Sequence, residues 1–177
     1  MQTIQHTHAR PEARVLASQI AEDGFFCGVL GAAIVAGWYL VLDALAGRPL
    51  FTPALLGSLL FKSGADASHV AIQPAIVAWY TAVHFFAFLG VGMVAAWLAA
   101  QFERFPAVGI AMLFLFVIFE TAFIIFAVAV GKNLLGSLGL WTIAVANLLA
   151  ALAMAGYLWW RHPSAVHNLD RIWADQD

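Results

Sequence analysis

Charged side chains are scarce in this sequence. Aspartate, glutamate, lysine and arginine together make up 10% of its 177 residues, whereas about a quarter of the residues in a soluble domain are charged. Hydrophobic residues make up 63%. The composition excludes an ordinary soluble domain and is typical of a protein embedded in a membrane. We therefore expect extensive contact with a lipid bilayer.

The sequence also has few features that would support chemistry. Its single cysteine, Cys27, cannot form an intramolecular disulfide, and its apolar neighbours favour a buried, inert thiol. No phosphate-binding loop, no nucleophile beside a base and no zinc motif is found in the sequence. The net charge of −2 and the lack of a basic patch argue against a nucleic-acid partner. These features favour a non-enzymatic protein.

Four long apolar runs dominate the chain. About 20 residues of α-helix are needed to cross a hydrocarbon core of ~30 Å, and each run is longer than that with at most one charge. Transmembrane β-strands would be only about ten residues long and would alternate between apolar and polar residues. We predict an all-α, four-transmembrane-helix up-down bundle, with spans at residues 24–46, 70–100, 105–131 and 133–160.

The two ends of the chain are polar. Residues 1–23 form a polar N-terminal arm without a cleavable signal pattern, and residues 161–177 form a polar C-terminal tail. The second and third connections between spans are short, which makes consecutive spans antiparallel neighbours. Residues 24–160 are therefore predicted to form a single membrane domain.

The first connection, between spans one and two, is longer and partly apolar. Thr52 is a suitable N-cap residue, and Pro53 suits the first position of a helix. They predict a short helix at about residues 52–63, which is too short to span and would lie in the interface or enter the membrane as a re-entrant segment.

Lysine and arginine positions predict the orientation. Five lie on the face that carries both chain ends and three on the opposite face, and cytoplasmic loops carry the excess of these residues. Both termini are therefore predicted to be cytoplasmic. The first set is Arg10, Arg14, Arg104, Arg161 and Arg171; the second is Arg48, Lys62 and Lys132.

Three polar residues lie inside the predicted spans: His84, Glu120 and Asn147. Counting 1.5 Å per residue from the outer ends places all three at a depth of ~15 to 16 Å. An ionised carboxylate at this depth costs roughly 2.5 to 3.5 kcal/mol, so Glu120 is predicted to face protein, to be protonated, or both. These residues form a predicted buried polar layer.

Small residues flank this layer and predict close packing of the helices around it. On span four they are Ala144, Ala150 and Ala151, and on span one Gly24, Gly28 and Gly31. Two interpretations of the layer stay open. A protonated Glu120 would hydrogen-bond His84 or Asn147 and stabilise helix association. Alternatively, Glu120 and His84 would form a pair that exchanges protons or binds a ligand.

His84 is the one intramembrane position that suggests a metal or haem. One histidine and one carboxylate are too few for a zinc site, which needs three or four protein ligands. A haem with two histidine ligands would require a second intramembrane histidine, and the sequence has none. The sequence therefore predicts no particular cofactor.

Asp43 and Arg48 form a second pair of interest at the outer end of span one. Arg48 follows Gly47, at which the chain can turn. We expect a local ion pair that fixes the start of the short helix. The alternative is that Arg48 binds a ligand beneath that helix.

Two runs of sequence, DALAGRPLFTPALLG and YTAVHFFAFLGVG, together with the isolated Glu120, resemble a group of uncharacterised small bacterial four-span integral membrane proteins. The resemblance covers roughly residues 24–131. Its most specific part is a D-x3-GRPL-x-TP-x-LLG segment from Asp43 to Gly57, followed by His84. It implies a location in a bacterial inner membrane and carries over no catalytic role.

Two functions from different classes fit these features. The first is an accessory or structural subunit that packs against a larger inner-membrane complex, with another membrane protein or a second copy of the chain as its partner. The second is a small proton- or ligand-handling bundle that works through Glu120 and His84.

Overall fold

The protein is described by a computed structural model that covers residues 11–62, 70–102, 114, 116–118, 120–121, 125 and 139–162. Four helices are defined, and the part of the chain so described contains no strand. The fold is therefore all-α, as predicted. The helices are α1 (Pro11–Leu45), α2 (Phe51–Phe61), α3 (Pro74–Phe102) and α4 (Leu140–Arg161).

Three of these helices are long and apolar enough to cross a membrane. The qualifying stretches are Leu16–Leu45, Pro74–Gln101 and Trp141–Arg161, of 30, 28 and 21 residues. They correspond to the first, second and fourth predicted spans. The third predicted span, 105–131, lies mostly outside the described residues, although the seven of its residues that are described are helical. A total of four spans stays a prediction.

Helix α1 extends well into the polar N-terminal segment. It begins at Pro11, a residue suited to the first helical position because its missing N–H would have no partner there. It ends in a Schellman motif: Arg48 N donates to Asp43 O at 2.8 Å and Gly47 N donates to Ala44 O at 3.0 Å. Gly47 has φ 69°, which a residue without Cβ adopts readily.

Helix α1 is the centre of the arrangement, since it lies against both α3 and α4. Its closest approach is to α3, at Gly24 and Gly28. A Cβ built on Gly28 would lie 2.6 Å from Phe88 O, and one built on Gly92 would meet the Gly24 carbonyl oxygen and the Gly28 backbone. The predicted close packing at these two span-one glycines is thus present.

Helix α2 packs mainly on α3, with Phe51 and Leu55 buried. The short helix predicted at about residues 52–63 is present, but Thr52 is not its N-cap. The helix begins at Phe51, and the N-cap is Leu50, with φ 67° and no side-chain cap. Thr52 lies inside the helix, and its hydroxyl donates to Asp43 and does not cap the helix.

Candidate functional site

A cavity of about 1190 Å³ lies between α1, α3 and α4. Its wall includes all three residues of the predicted polar layer, His84, Glu120 and Asn147. Ala150 and Ala151, which predicted close packing around that layer, also line the cavity. Ala150 is buried all the same, and most of the third predicted span lies outside the described residues, so close packing around the layer stays a prediction.

The cavity is long rather than round. On α3 its lining residues extend from Tyr80 to Leu98, which is ~27 Å at 1.5 Å per residue. On α4 they extend from Ile143 to Leu158, or ~22 Å. Both lengths approach the ~30 Å thickness of the hydrocarbon core. The cavity lining is therefore elongated along α3 and α4.

Glu120 and Asn147 are in direct contact. Asn147 Nδ2 donates a hydrogen bond of 2.7 Å to Glu120 Oε2. The other carboxyl oxygen, Oε1, is buried and has no hydrogen-bond partner among the described residues. The carboxyl group is thus half satisfied, which is costly for a polar group inside a membrane protein.

His84 contacts α1 rather than the other two polar residues. Its Nε2 lies 3.2 Å from the Ala32 carbonyl oxygen. Because a carbonyl only accepts, we assign the proton of the neutral ring to Nε2, which leaves a lone pair on Nδ1. The ring lies between two aromatic neighbours on α3, Tyr80 with centroids 6.1 Å apart and Phe88 at 4.8 Å. The structure therefore places His84 on the wall of the same cavity without a direct bond to Glu120.

Asp43 does not form the expected ion pair with Arg48. Its Oδ2 accepts a hydrogen bond from Thr52 N at 2.7 Å and its Oδ1 accepts one from Thr52 Oγ1 at 2.8 Å. The Arg48 guanidinium instead lies 4.0 Å from the centre of the Phe51 ring. The Schellman turn explains the difference, since it places the carboxylate at the N-terminus of α2, where unpaired N–H groups favour a negative charge.

The predicted alternative was that Arg48 binds a ligand beneath the short helix. Asp43 and Thr52 line the cavity, whereas Arg48 is not part of its wall. Among the described residues, the wall at this end therefore carries a carboxylic acid and no basic side chain.

A second polar cluster joins α1 to α4 at the opposite end of the bundle, and sequence reasoning missed it. Arg161 Nε donates to Asp23 Oδ1 at 2.6 Å, and His162 Nε2 lies 3.3 Å from Asp23 Oδ2. Tyr157 and Glu22 complete the cluster, at 3.4 Å and 3.5 Å from Asp23 and Arg161. The usable signal was an acidic residue at the inner end of span one and a basic residue at the inner end of span four.

We expect Arg161→Ala to lower the thermal unfolding midpoint, because it leaves the buried Asp23 carboxylate without its nearest donor. Arg161→Lys keeps the positive charge but lacks the Nε–H donor. Its unfolding midpoint should therefore lie between those of Arg161→Ala and the wild type. Thermal unfolding in detergent measures both. Lys62→Ala is the control, since it removes an exposed cation bonded to Gln73. Equal midpoints for all four proteins would show that the cluster does not stabilise the fold.

The described residues contain no group of three or more histidine, cysteine, aspartate and glutamate side chains placed to hold a metal ion. His84 therefore gains no further ligand from them.

The fold and the site together define a class: the chain is an all-α integral membrane protein with an interhelical cavity. Comparison of the chain with known protein families, with curated proteins and with solved structures finds no match. The function is therefore argued from the cavity itself.

Proposed function

We propose that this protein binds an apolar, chain-like small molecule in the cavity between α1, α3 and α4. The observation that carries the proposal is that His84, Glu120 and Asn147 all lie on the wall of one cavity of about 1190 Å³. Ligand sites in proteins are typically clefts of about 300 to 1,000 Å³, mainly apolar, with a few convergent polar groups. The cavity has this character and is slightly larger than this range.

The length of the cavity supports a chain-like ligand. Its volume has room for roughly 40 water-sized groups, and on α3 its lining extends for ~27 Å. Away from the polar positions the wall is formed by side chains such as Val83, Val91, Val94 and Leu98. An extended hydrocarbon chain parallel to the helices would cover this apolar wall, and the polar side chains would fix its head group.

We also propose that the protein resides in a bacterial inner membrane with both termini in the cytoplasm. Two features support this: the bias of lysine and arginine residues toward the face with the chain ends, and the resemblance of the segment from Asp43 to Gly57 to small bacterial membrane proteins.

An accessory subunit of a larger complex is the second candidate. Large side chains are exposed on the outside of the helices, among them Trp79 at 67%, Phe86 at 68% and Trp160 at 75%. A partner would cover such residues, but lipid covers them equally well, so they favour the subunit role less strongly than the cavity favours binding. Purification from the native membrane in mild detergent distinguishes the two, because only a subunit brings a partner at fixed stoichiometry.

A large side chain placed in the cavity should weaken binding of an apolar ligand. The protein is reconstituted in nanodiscs of zwitterionic lipid, and binding of tritiated hexadecanol is measured by scintillation proximity, with empty nanodiscs as the blank. Ala151→Phe places a ring on the cavity wall. It should weaken binding about tenfold or more, because the apolar contacts of the ligand that the ring displaces are worth at least about 1.4 kcal/mol. Leu149→Phe is the control, because Leu149 is exposed on the opposite side of the same helix and outside the cavity wall, and this variant should bind like the wild type.

Two results would refute the proposal. One is wild-type binding no greater than that of empty nanodiscs. The other is equal binding by Ala151→Phe and Leu149→Phe, which would place the probe outside the cavity.

A further inference from the structure

We propose that the cavity selects amphiphiles with a cationic ammonium head over those with a carboxylate or phosphate head, and that Glu120 receives this head. The inference rests on the proposed function and names the chemical class of its ligand. It follows from the charges on the cavity wall, from the state of the two carboxyl groups there, and from the aromatic rings beside them.

The ionisable lining of the cavity is acidic. Among the described lining residues, Asp43 and Glu120 are carboxylic acids, His84 is the only imidazole, and there is no lysine or arginine. The nearest arginine of this end, Arg48, is held over the Phe51 ring and lies outside the wall. Charges interact strongly in a medium of low dielectric constant. An anionic head would therefore be repelled from the cavity and a cationic one attracted.

Asp43 is not free to receive a ligand. Thr52 gives it two hydrogen bonds, of 2.7 Å and 2.8 Å, and the N-terminus of α2 adds a favourable dipole. Only 6% of Asp43 is exposed. Its charge is thus compensated within the protein, and the ligand head must find another acid.

Glu120 is in the opposite state. Asn147 satisfies Oε2, while Oε1 has no partner among the described residues. Because Glu120 lines the cavity, a head group that enters the cavity can approach this carboxyl group. An ammonium group would supply both a hydrogen bond and the missing positive charge. Charge-assisted hydrogen bonds of this type are about twice as strong as neutral ones.

Aromatic rings beside the polar layer suit the same head group. Tyr80, His84 and Phe88 follow one another at intervals of four residues on α3, in ring contact at 6.1 Å and 4.8 Å, and all three line the cavity. Tyr39 and Phe116 line it as well. Ring faces attract cations, and the unprotonated Nδ1 of His84 can accept an N–H. A carboxylate head would gain neither contact.

The test compares three probes that share one chain and differ in the head: hexadecylammonium, hexadecanol and hexadecanoate. Binding is measured in the same zwitterionic nanodiscs, with empty nanodiscs subtracted for each probe. We expect the ammonium to bind the wild type about tenfold more tightly than the alcohol, because one desolvated charge-assisted bond exceeds a neutral one by about that factor. The carboxylate should bind no more tightly than the alcohol.

Glu120→Gln removes the charge and keeps an acceptor for Asn147. It should bring the ratio of ammonium to alcohol affinity close to one. A size-exclusion profile and a thermal unfolding midpoint like those of the wild type show that the variant is folded. Glu22→Gln removes an acid that is exposed and outside the cavity, and should keep the wild-type ratio.

Each outcome decides one question. Wild-type binding of the carboxylate as tight as that of the ammonium, or an unchanged ratio in Glu120→Gln, overturns the ammonium inference and leaves the proposed function standing. Failure of all three probes to bind above the blank refutes the proposed function itself. If Glu120→Gln cannot be isolated, the three wild-type affinities still decide the inference.

Discussion

Gly92→Ala will yield little folded protein, and what folds will have a much lower unfolding midpoint than the wild type. A Cβ at this position would meet the Gly24 carbonyl oxygen and the Gly28 backbone across the contact between α1 and α3. These are backbone atoms, which cannot move away by a change of rotamer. Overpacking usually costs about 1 to 3 kcal/mol of stability and occasionally more. Because the added Cβ meets backbone atoms here, we expect a cost at or above the upper end of this range.

Gly90→Ala is the matched control, two residues away on the same helix. A Cβ there would meet nothing within 4 Å. Because alanine is favoured over glycine inside a helix by up to about 1 kcal/mol, this variant should be as stable as the wild type or slightly more so. The two substitutions make the same chemical change. They should nevertheless shift the unfolding midpoint in opposite directions, because only Gly92 lies against backbone atoms of another helix. Size-exclusion profiles and thermal unfolding in one detergent measure both, and equal midpoints would show that the helices do not approach closely at Gly92.

The sequence predicts only part of this contact. Gly24 and Gly28 stand four residues apart on one face of span one, a spacing typical of close helix contacts. Their partner Gly92 could not be chosen in advance, because span two contains other small residues, including Gly90, that make no such contact. The difference depends on how α3 is rotated about its axis, and three-dimensional packing sets that rotation.

The cavity could be predicted even less. The sequence placed His84, Glu120 and Asn147 at one depth, and the structure puts all three on one wall. Small residues such as Ala150 and Ala151 are compatible both with close helix contact and with open space beside the helix. Only the positions of the neighbouring helices decide between these outcomes, so the free volume could not be predicted from the sequence.

The partner of Asp43 was mistaken for a related reason. Sequence reasoning paired it with the nearest opposite charge, Arg48, five residues away. The Schellman turn reverses the chain and brings Thr52, nine residues away, onto the carboxylate. Turn geometry therefore decided the contact.

Asp43→Ala will release the start of α2 from the end of α1. The change removes both acceptors of Thr52 and leaves its backbone N–H without a partner in a buried position. An unsatisfied buried donor costs about 1 to 3 kcal/mol. Helix α2 has only 11 residues, too few to be stable by itself, so the loss should appear as local opening. One to two kcal/mol corresponds to roughly 5- to 30-fold faster hydrogen exchange of the α2 amides.

Thr52→Val separates the two hydrogen bonds. It removes the Oγ1 bond and keeps the backbone bond to Oδ2, so α2 should exchange only slightly faster than in the wild type. In the double variant, Asp43→Ala has already removed both hydrogen bonds, so Thr52→Val removes nothing further. Hydrogen exchange of α2 should then match that of Asp43→Ala alone, since contacting residues do not act additively. If Thr52→Val accelerates exchange as much as Asp43→Ala does, the hydroxyl holds the junction. If neither changes it, α2 is held by Phe51 and Leu55 packing on its neighbours, and the carboxylate of Asp43 is then left as an acidic group on the cavity wall.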